Sequence, residues 1–321
     1  MLNKKLSELR VVGVPWHVGH QYELAKLFSQ YDFLLNHYRT WGEVSRPRPA
    51  NSKDVLTFKQ SDYDLAILHV DQQCTQPEMN KYKLFSQFEK LTRGMPRVVI
   101  NHMTPFDDRL ETPEVIKRMR ELIGDIPMVT NSREAALQWG WGNPIIHGID
   151  PKEWFVNPKE PRVITSLSPE GMATAYRREL LHATIELLKE KGIEFVWLQV
   201  DKKCKSFDEY RDYISRSLIY FNATWQSPMP RSRTEAMMSG CCVVSTRHHD
   251  WDSYIKQGEN GFIVPDNPRS AANLITDLLT NRYKETVKIG LAGRATAEKE
   301  FNIERWRSDW EAFLRKEKIL A

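Results

Sequence analysis

The chain has little that would tie it to a membrane, a metal or an oxidising compartment. Its 321 residues include only four cysteines, Cys74, Cys204, Cys241 and Cys242, without the spacing of a metal site or a disulfide framework. Reduced thiols in a cytoplasmic protein are the expectation. No uninterrupted apolar run approaches membrane-spanning length, and Met1–Arg10 lacks the apolar core of a signal peptide. Short-period repeats and low-complexity segments are absent as well. The net charge is only +4, with basic residues spread over both halves, which permits an anionic ligand without announcing nucleic acid. Asp62-Tyr63-Asp64 has the spacing of a metal-holding acidic pair but precedes an apolar run, so it reads as a turn.

What remains is an ordinary soluble composition, 41% hydrophobic and 27% charged, on a chain long enough for two domains with cores of their own. The first half alternates short apolar runs with helical stretches. Strands are expected at Arg10–Pro15, Phe33–His37, Leu65–Val70, Arg97–His102 and Pro127–Asn131. Helices fall between them at Gln21–Phe28, Met79–Thr92, Glu114–Ile123 and Arg133–Trp139. Such alternation predicts a mainly parallel sheet covered by helices, with ligands bound beyond the carboxyl ends of the strands. The residues expected there are polar and aromatic: Trp16, His17 and His20, then His69 and Asp71, then His102 and Thr104. A strand-end histidine is often a structural hydrogen-bonder. Trp16 and His17 either stack on an acceptor ring or pack against the following helix.

A second unit of the same kind follows. Arg162–Leu167 reads as a strand, Ser168–Gly171 as a loop, Tyr176–Lys191 as an amphipathic helix ended by Gly192, and Glu194–Val200 as the next strand. Gly148 permits a backbone turn and Pro158–Pro161 reads as a linker, placing the domain boundary between Asp150 and Pro161. Asn302–Lys318 is expected to be a helix whose Trp306, Trp310 and Phe313 pack into a core.

The stretch Ser227–Pro265 is the most informative. A helix is expected to open near Ser232 or Thr234, where a hydroxyl can cap exposed amides, and to stop at Ser239-Gly240. Cys241–Thr246 follows as a strand covered on both faces. Glu235 then falls in the first helical turn, where a carboxylate can accept hydrogen bonds from a ribose diol. Helix N–H groups with Arg231 and Arg233 favour phosphate there. Glu235 reads equally as a capping-box or dipole partner.

Glu235-Ala236-Met237-Met238, Gly240, Val243–Thr246 and Asn260–Pro265, in that order, resemble the nucleotide-sugar signature of retaining GT-B glycosyltransferases, glycosyltransferase family 4 in particular. His102, in VVINHMTPF, resembles the family's strand-end histidine, which contacts the donor sugar near the reacting carbon. Gly19-His20 is similar to a Gly-His pair in the first loop, close to the diphosphate. Asn131–Glu134 resembles the serine-started helix closing the first domain, and Ile145–Asp150 with Trp154-Phe155 resembles the hinge motif. Two departures stand out. Ser227 occupies the place of a glutamate that touches the donor sugar, and Ser166 that of a loop arginine.

The resemblance implies an α/β fold of GT-B architecture, two Rossmann-like doubly wound domains facing across a cleft. Residues 1–150 would form the acceptor-side domain, with helix 302–321 packing back on it, and residues 151–301 the nucleotide-sugar domain. It implies transfer of a sugar from a nucleotide-diphosphate sugar to an acceptor (glycan, small molecule or nucleic acid), with retention and without metal or further cofactor. His102 would be the catalytic residue. Donor binding would fall to Glu235, Arg231, Arg233, Thr234, Ser227, Gly19 and His20, with Arg177 and Arg178 available for the diphosphate or merely on a solvated helix face. Trp16, His17 and Asp71 would meet the acceptor. Three alternatives stay open. The missing glutamate and arginine suit a catalytically inactive nucleotide-sugar-binding protein. The basic segments Arg46–Lys53 and Lys117–Arg120 suit a DNA-modifying enzyme acting on a hydroxymethylated base. A GT-B epimerase is the third.

Overall fold

Every pairing between named strands is parallel, as the alternation of strands and helices demands. The computed structural model describes residues 1–35, 41–43, 45–167, 175–198 and 203–321, and these divide into two units, Met1–Gly148 with Ile303–Ala321 and Ile149–Asn302.

The first unit is built on β1 (Arg10–Gly13), β2 (Gln30–Leu34), β3 (Asp54–Val55), β4 (Leu65–Val70), β5 (Arg97–Asn101), β6 (Met128–Thr130) and β7 (Asn143–Pro144). Their order is β3-β2-β1-β4-β5-β6-β7, so the winding reverses between β1 and β4. That reversal leaves an opening beyond the carboxyl ends of those two strands. The helices are α1 (Val18–Ala25), α2 (Asn80–Leu91), α3 (Thr112–Ile123) and α4 (Arg133–Trp139). The side chain of Ser132 caps α4 through the Ala135 N–H, as the serine at that position predicts.

Two local readings change. α1 starts at Val18 rather than Gln21, because the His17 ring accepts from the His20 N–H at 3.3 Å and acts as the cap. Gly19 and His20 therefore lie in a helical turn and not in a loop. β2 ends at Leu34, and His37 of the expected strand lies outside the described residues.

The second unit contains β8 (Glu160–Thr165), β9 (Phe195–Trp197), β10 (Ser217–Asn222), β11 (Cys242–Thr246) and β12 (Phe262–Val264), in the order β12-β11-β10-β8-β9. Here the winding reverses between β8 and β10. Pro161, expected in a linker, sits inside β8. The register against β10 shifts by one residue around it, a bulge that absorbs the missing N–H. The loop expected at Ser168–Gly171 lies outside the described residues, as does the end of the strand expected to reach Val200.

The helices of this unit are α5 (Arg178–Glu190), α6 (Phe207–Arg216), α7 (Arg231–Met238), α8 (Pro268–Thr280) and α9 (Tyr283–Glu300). α7 opens at Arg231 behind Pro230, with no side-chain cap. The hydroxyl expected to cap it, Ser232, instead accepts from the Tyr220 hydroxyl at 2.7 Å. Glu235 thus stands one turn inside the helix rather than in its first turn.

The final helix, α10 (Ile303–Lys316), belongs to the first unit, with Trp306 and Trp310 fully buried and Phe313 nearly so. Each such side chain contributes about 1.5–3 kcal/mol of apolar burial. Gly148 serves this packing and not a turn: a Cβ there would lie 2.6 Å from the Trp306 Cβ and 3.0 Å from the Ile303 Cα.

An equally close approach holds the second unit together. A Cβ on Gly290 of α9 would lie 2.3 Å from the Gly240 carbonyl oxygen and 3.0 Å from the Cys242 nitrogen, both backbone atoms. Gly290→Ala is expected to destabilise the chain by about 1–3 kcal/mol, the cost of overpacking a rigid contact. The denaturant midpoint measures it, and an unchanged midpoint would show that α9 is loosely seated.

Candidate functional site

In the first unit the polar side chains at the carboxyl ends of β1, β4 and β5 form one cluster. Gln21 of α1, fully buried, is its hub. Its Oε1 accepts from the backbone N–H groups of Trp16 (2.8 Å) and His17 (3.2 Å), and its Nε2 donates to the Val14 carbonyl (2.8 Å). The same Nε2 lies 3.0 Å from His69 Nε2, and His69 Nδ1 lies 2.9 Å from His102 Nε2. His102 is partly exposed. His17 stacks on it at 5.6 Å between ring centroids, and His20 meets it edge-on at 5.2 Å.

Four imidazoles in one place repel protons. Burial, then the His17 charge, holds the His69 pKa down to about 3. Burial, followed by His69, His20, His17 and Lys81, pushes that of His102 well below its usual value. His69 and His102 are therefore uncharged at neutral pH. Among the described residues no group of three His, Cys, Asp or Glu could hold a metal ion.

The side chains read from the sequence as acceptor contacts are differently placed. Asp71 caps the short helical turn after β4, accepting from the Gln73 N–H at 3.0 Å, and pairs with Lys81. Lys81 in turn lies 5.5 Å above the Trp16 ring. Trp16 belongs to the hydrophobic core, whereas His17 is exposed.

In the second unit the carboxylate of Glu235 is enclosed, with 1% of its surface exposed. It accepts from the Tyr210 hydroxyl at 2.7 Å and from Arg231 Nε at 3.0 Å. Tyr210 also reaches Ser166 (3.4 Å), whose hydroxyl meets Tyr220 at 3.1 Å. Ser166 thus fills the place expected for an arginine with a hydroxyl network.

Arg233 is the anomaly. It is fully buried, its guanidinium lies 4.6 Å from the Tyr254 ring centroid, and its Nη2 lies beside the Met229 sulfur. Its Nε and Nη1 have no hydrogen-bond partner, and among the described residues no carboxylate pairs with it. Its charge is felt nearby: after burial, it is the next largest cause of the lowered pKa of His248. Asn222, at the end of the central strand β10, is also fully buried with both amide atoms unpartnered, as is the Thr224 hydroxyl.

The other candidate donor residues are more ordinary. Arg177 is neutralised by Asp266 at 2.6 Å and lies 5.5 Å over Trp225. Arg178 is exposed at the start of α5. Both border a cavity of about 620 Å³ lined also by Tyr176, Trp225 and Pro268. Ser227 hydrogen-bonds the Tyr176 hydroxyl, and Thr234 is buried in α7. Sequence reasoning missed Gln21, Tyr210, Asn222 and Thr224. A glutamine one turn into a helix and a tyrosine in mid-helix carry no local signal of a site.

Residues 177–281 match the family described as glycosyl transferases group 1. Spore coat protein SA of Bacillus subtilis (strain 168) is 31% identical over 103 residues, which is 32% of this chain and 27% of that protein. The chain therefore spans about a quarter of the length of this curated relative. Among solved structures, Anabaena HepE in complex with UDP and glucose superposes with a TM-score of 0.68 at 13% identity, covering 96% of this chain and all of that one. Sucrose-phosphate synthase from Thermosynechococcus elongatus superposes with a TM-score of 0.67 at 12% identity, covering 96% and 99%. At these identities the likeness establishes the fold: two parallel-sheet α/β Rossmann-like domains, as in these GT-B structures.

Stability should follow the histidine cluster. Unfolded, His69 titrates near 6.5; folded, it stays unprotonated until about pH 3, so the unfolded chain holds more protons between these values. Its contribution is complete above about pH 6.5 and is lost as pH falls through that window. At about pH 5 the loss from His69 alone is about 2 kcal/mol. The denaturant midpoint of His69→Asn should therefore fall less between neutral pH and pH 5 than that of the wild type. Equal slopes would show that His69 is not held unprotonated.

Proposed function

We propose that the chain is a glycosyltransferase that takes a sugar from a nucleotide-diphosphate sugar. The observation that carries this reading is Arg233: a buried cation at the carboxyl end of a parallel sheet, with two guanidinium nitrogens unmatched and, among the described residues, no carboxylate paired with it. A lone buried charge is costly, and an anionic ligand would offset that cost. Asn222 and Thr224 add unmatched polar groups at the end of the same strand. The match of residues 177–281 to glycosyl transferases group 1, and the UDP and glucose named for HepE, support a sugar nucleotide as that anion.

In this reading Arg233 stabilises the departing diphosphate, where charge develops as the glycosidic bond breaks. Arg231 is already neutralised by Glu235, so we assign it to orienting that carboxylate rather than to phosphate. Glu235 takes the ribose diol and His102 meets the sugar. Asp71, the carboxylate that follows β4, is engaged by Lys81 and is therefore not assigned as the nucleophile of a double displacement. Retention would then proceed on one face, with the donor phosphate taking the acceptor proton. The arginine supplies the positive charge that a divalent cation supplies elsewhere. A second reading, binding without transfer, is favoured by Ser227 in place of a glutamate and by the enclosed Glu235.

Arg233→Met separates a ligand-binding arginine from a structural one. It should leave the apo melting temperature unchanged or raised, because an unpaired buried charge is replaced by an apolar chain. Affinity for the best nucleotide sugar from a thermal-shift panel should weaken by roughly 10- to 100-fold, the worth of a charge-assisted hydrogen bond. Unchanged affinity in calorimetry would remove the assignment. His102→Ala should lower turnover more than donor binding; binding with no transfer or donor hydrolysis in the wild type would favour the second reading.

A further inference from the structure

The hydrogen bonds around Gln21 favour one arrangement of protons in the histidine cluster. Gln21 Oε1 faces two backbone N–H groups and cannot be exchanged with Nε2, which faces the Val14 carbonyl. One Nε2 hydrogen goes to that carbonyl; the other lies between His69 Nε2 at 3.0 Å and the Tyr31 hydroxyl at 3.3 Å, and a hydrogen on His69 Nε2 would oppose the amide at the shorter of these contacts. His69 Nε2 is therefore an acceptor, a role that the Tyr31 hydroxyl, 3.3 Å from it, also suits. An unprotonated Nε2 places the ring proton of His69 on Nδ1, which faces His102 Nε2 at 2.9 Å. His102 Nε2 must accept in turn, and its own proton lies on Nδ1. That atom is 3.5 Å from the Asn131 amide, whose Oδ1 has no partner as placed; turned over, the amide would accept from Nδ1–H only through this long bond, which a ligand hydroxyl can displace.

Resting on the transferase assignment, we infer that Gln21 and His69 are positioning residues that fix the proton of His102 on Nδ1, so that His102 serves the donor sugar as a hydrogen-bond donor and not as a general base. The Nε2 lone pair is already committed to His69, and Nδ1 carries a proton, so the ring has no basic nitrogen to offer. The stacked His17 and edge-on His20 hold the plane of the ring. A partner that sets the tautomer of a working histidine from behind is a recurrent device.

Long-range ¹H–¹⁵N NMR of the imidazoles in the full chain at neutral pH reads the tautomers directly. Both His69 and His102 should carry the proton on Nδ1. A wild-type His102 protonated on Nε2 overturns the inference. His69→Asn keeps an amide donor near the place of Nδ1 and should preserve the His102 tautomer, whereas His69→Phe should leave His102 in a mixture of both. In transfer assays His69→Phe should lower kcat about tenfold at unchanged donor KM, one hydrogen bond's worth, and His69→Asn should restore it. Equal kcat in all three proteins overturns the positioning role. Absence of transfer in the wild type, with the tautomers as inferred, overturns the proposed activity and leaves the proton arrangement standing.

Discussion

A guanidinium closed inside the end of a parallel sheet, with no carboxylate paired to it among the described residues, is the constraint that organises the second unit. Arg233 cannot shed its proton, so its charge persists wherever burial puts it. The groups around it answer in kind: His248 is kept from protonating, and Tyr254 offers a ring face. Glu235, two residues along the same helix, is turned to Arg231 and Tyr210 and does not neutralise Arg233. Among the described residues the sheet therefore ends in a positive charge that no carboxylate offsets, held in place through the packing of α7.

The first unit solves the opposite problem. His69 and His102 lie at the corresponding strand ends, and burial first, then the neighbouring imidazoles, keeps them unprotonated. These two rings thus present oriented N–H groups and ring faces but no charge of their own. Both arrangements stand where the strand order of a sheet reverses, between β1 and β4 and between β8 and β10. Winding turns away to both sides at such a point, so side chains beyond the strands are not covered by a crossover helix.

Much of the architecture was legible because it is written in contiguous residues. The run from Glu235 through Gly240 to Thr246 names helix, stop and buried strand in order, and the tryptophans of α10 sit at helical spacing. What escaped depends on contacts distant in sequence. Glu235 is held by Tyr210, 25 residues earlier on α6, and nothing local to either residue points to the other. The chain from Gln21 through His69 to His102 joins a helix to two strand ends, so no single segment displays it. Cap chemistry misled in both units: a histidine ring starts α1 where a hydroxyl or carboxylate is the usual choice, and α7 begins after a proline although serine and threonine lie just inside it. Pro161 looked like a linker residue because a bulge, which sequence does not announce, is what lets it enter a strand.

The Tyr210–Glu235 contact has a consequence for how a sugar nucleotide would be selected. A phenol and a ribose hydroxyl are similar donors, so a diol entering at Glu235 must evict a group that already satisfies it. The exchange swaps one hydrogen bond for another and yields little net attraction. On the proposed assignment the tyrosine would act as a built-in competitor, reducing the sugar end of the nucleotide to a check on shape and leaving the diphosphate to supply most of the grip.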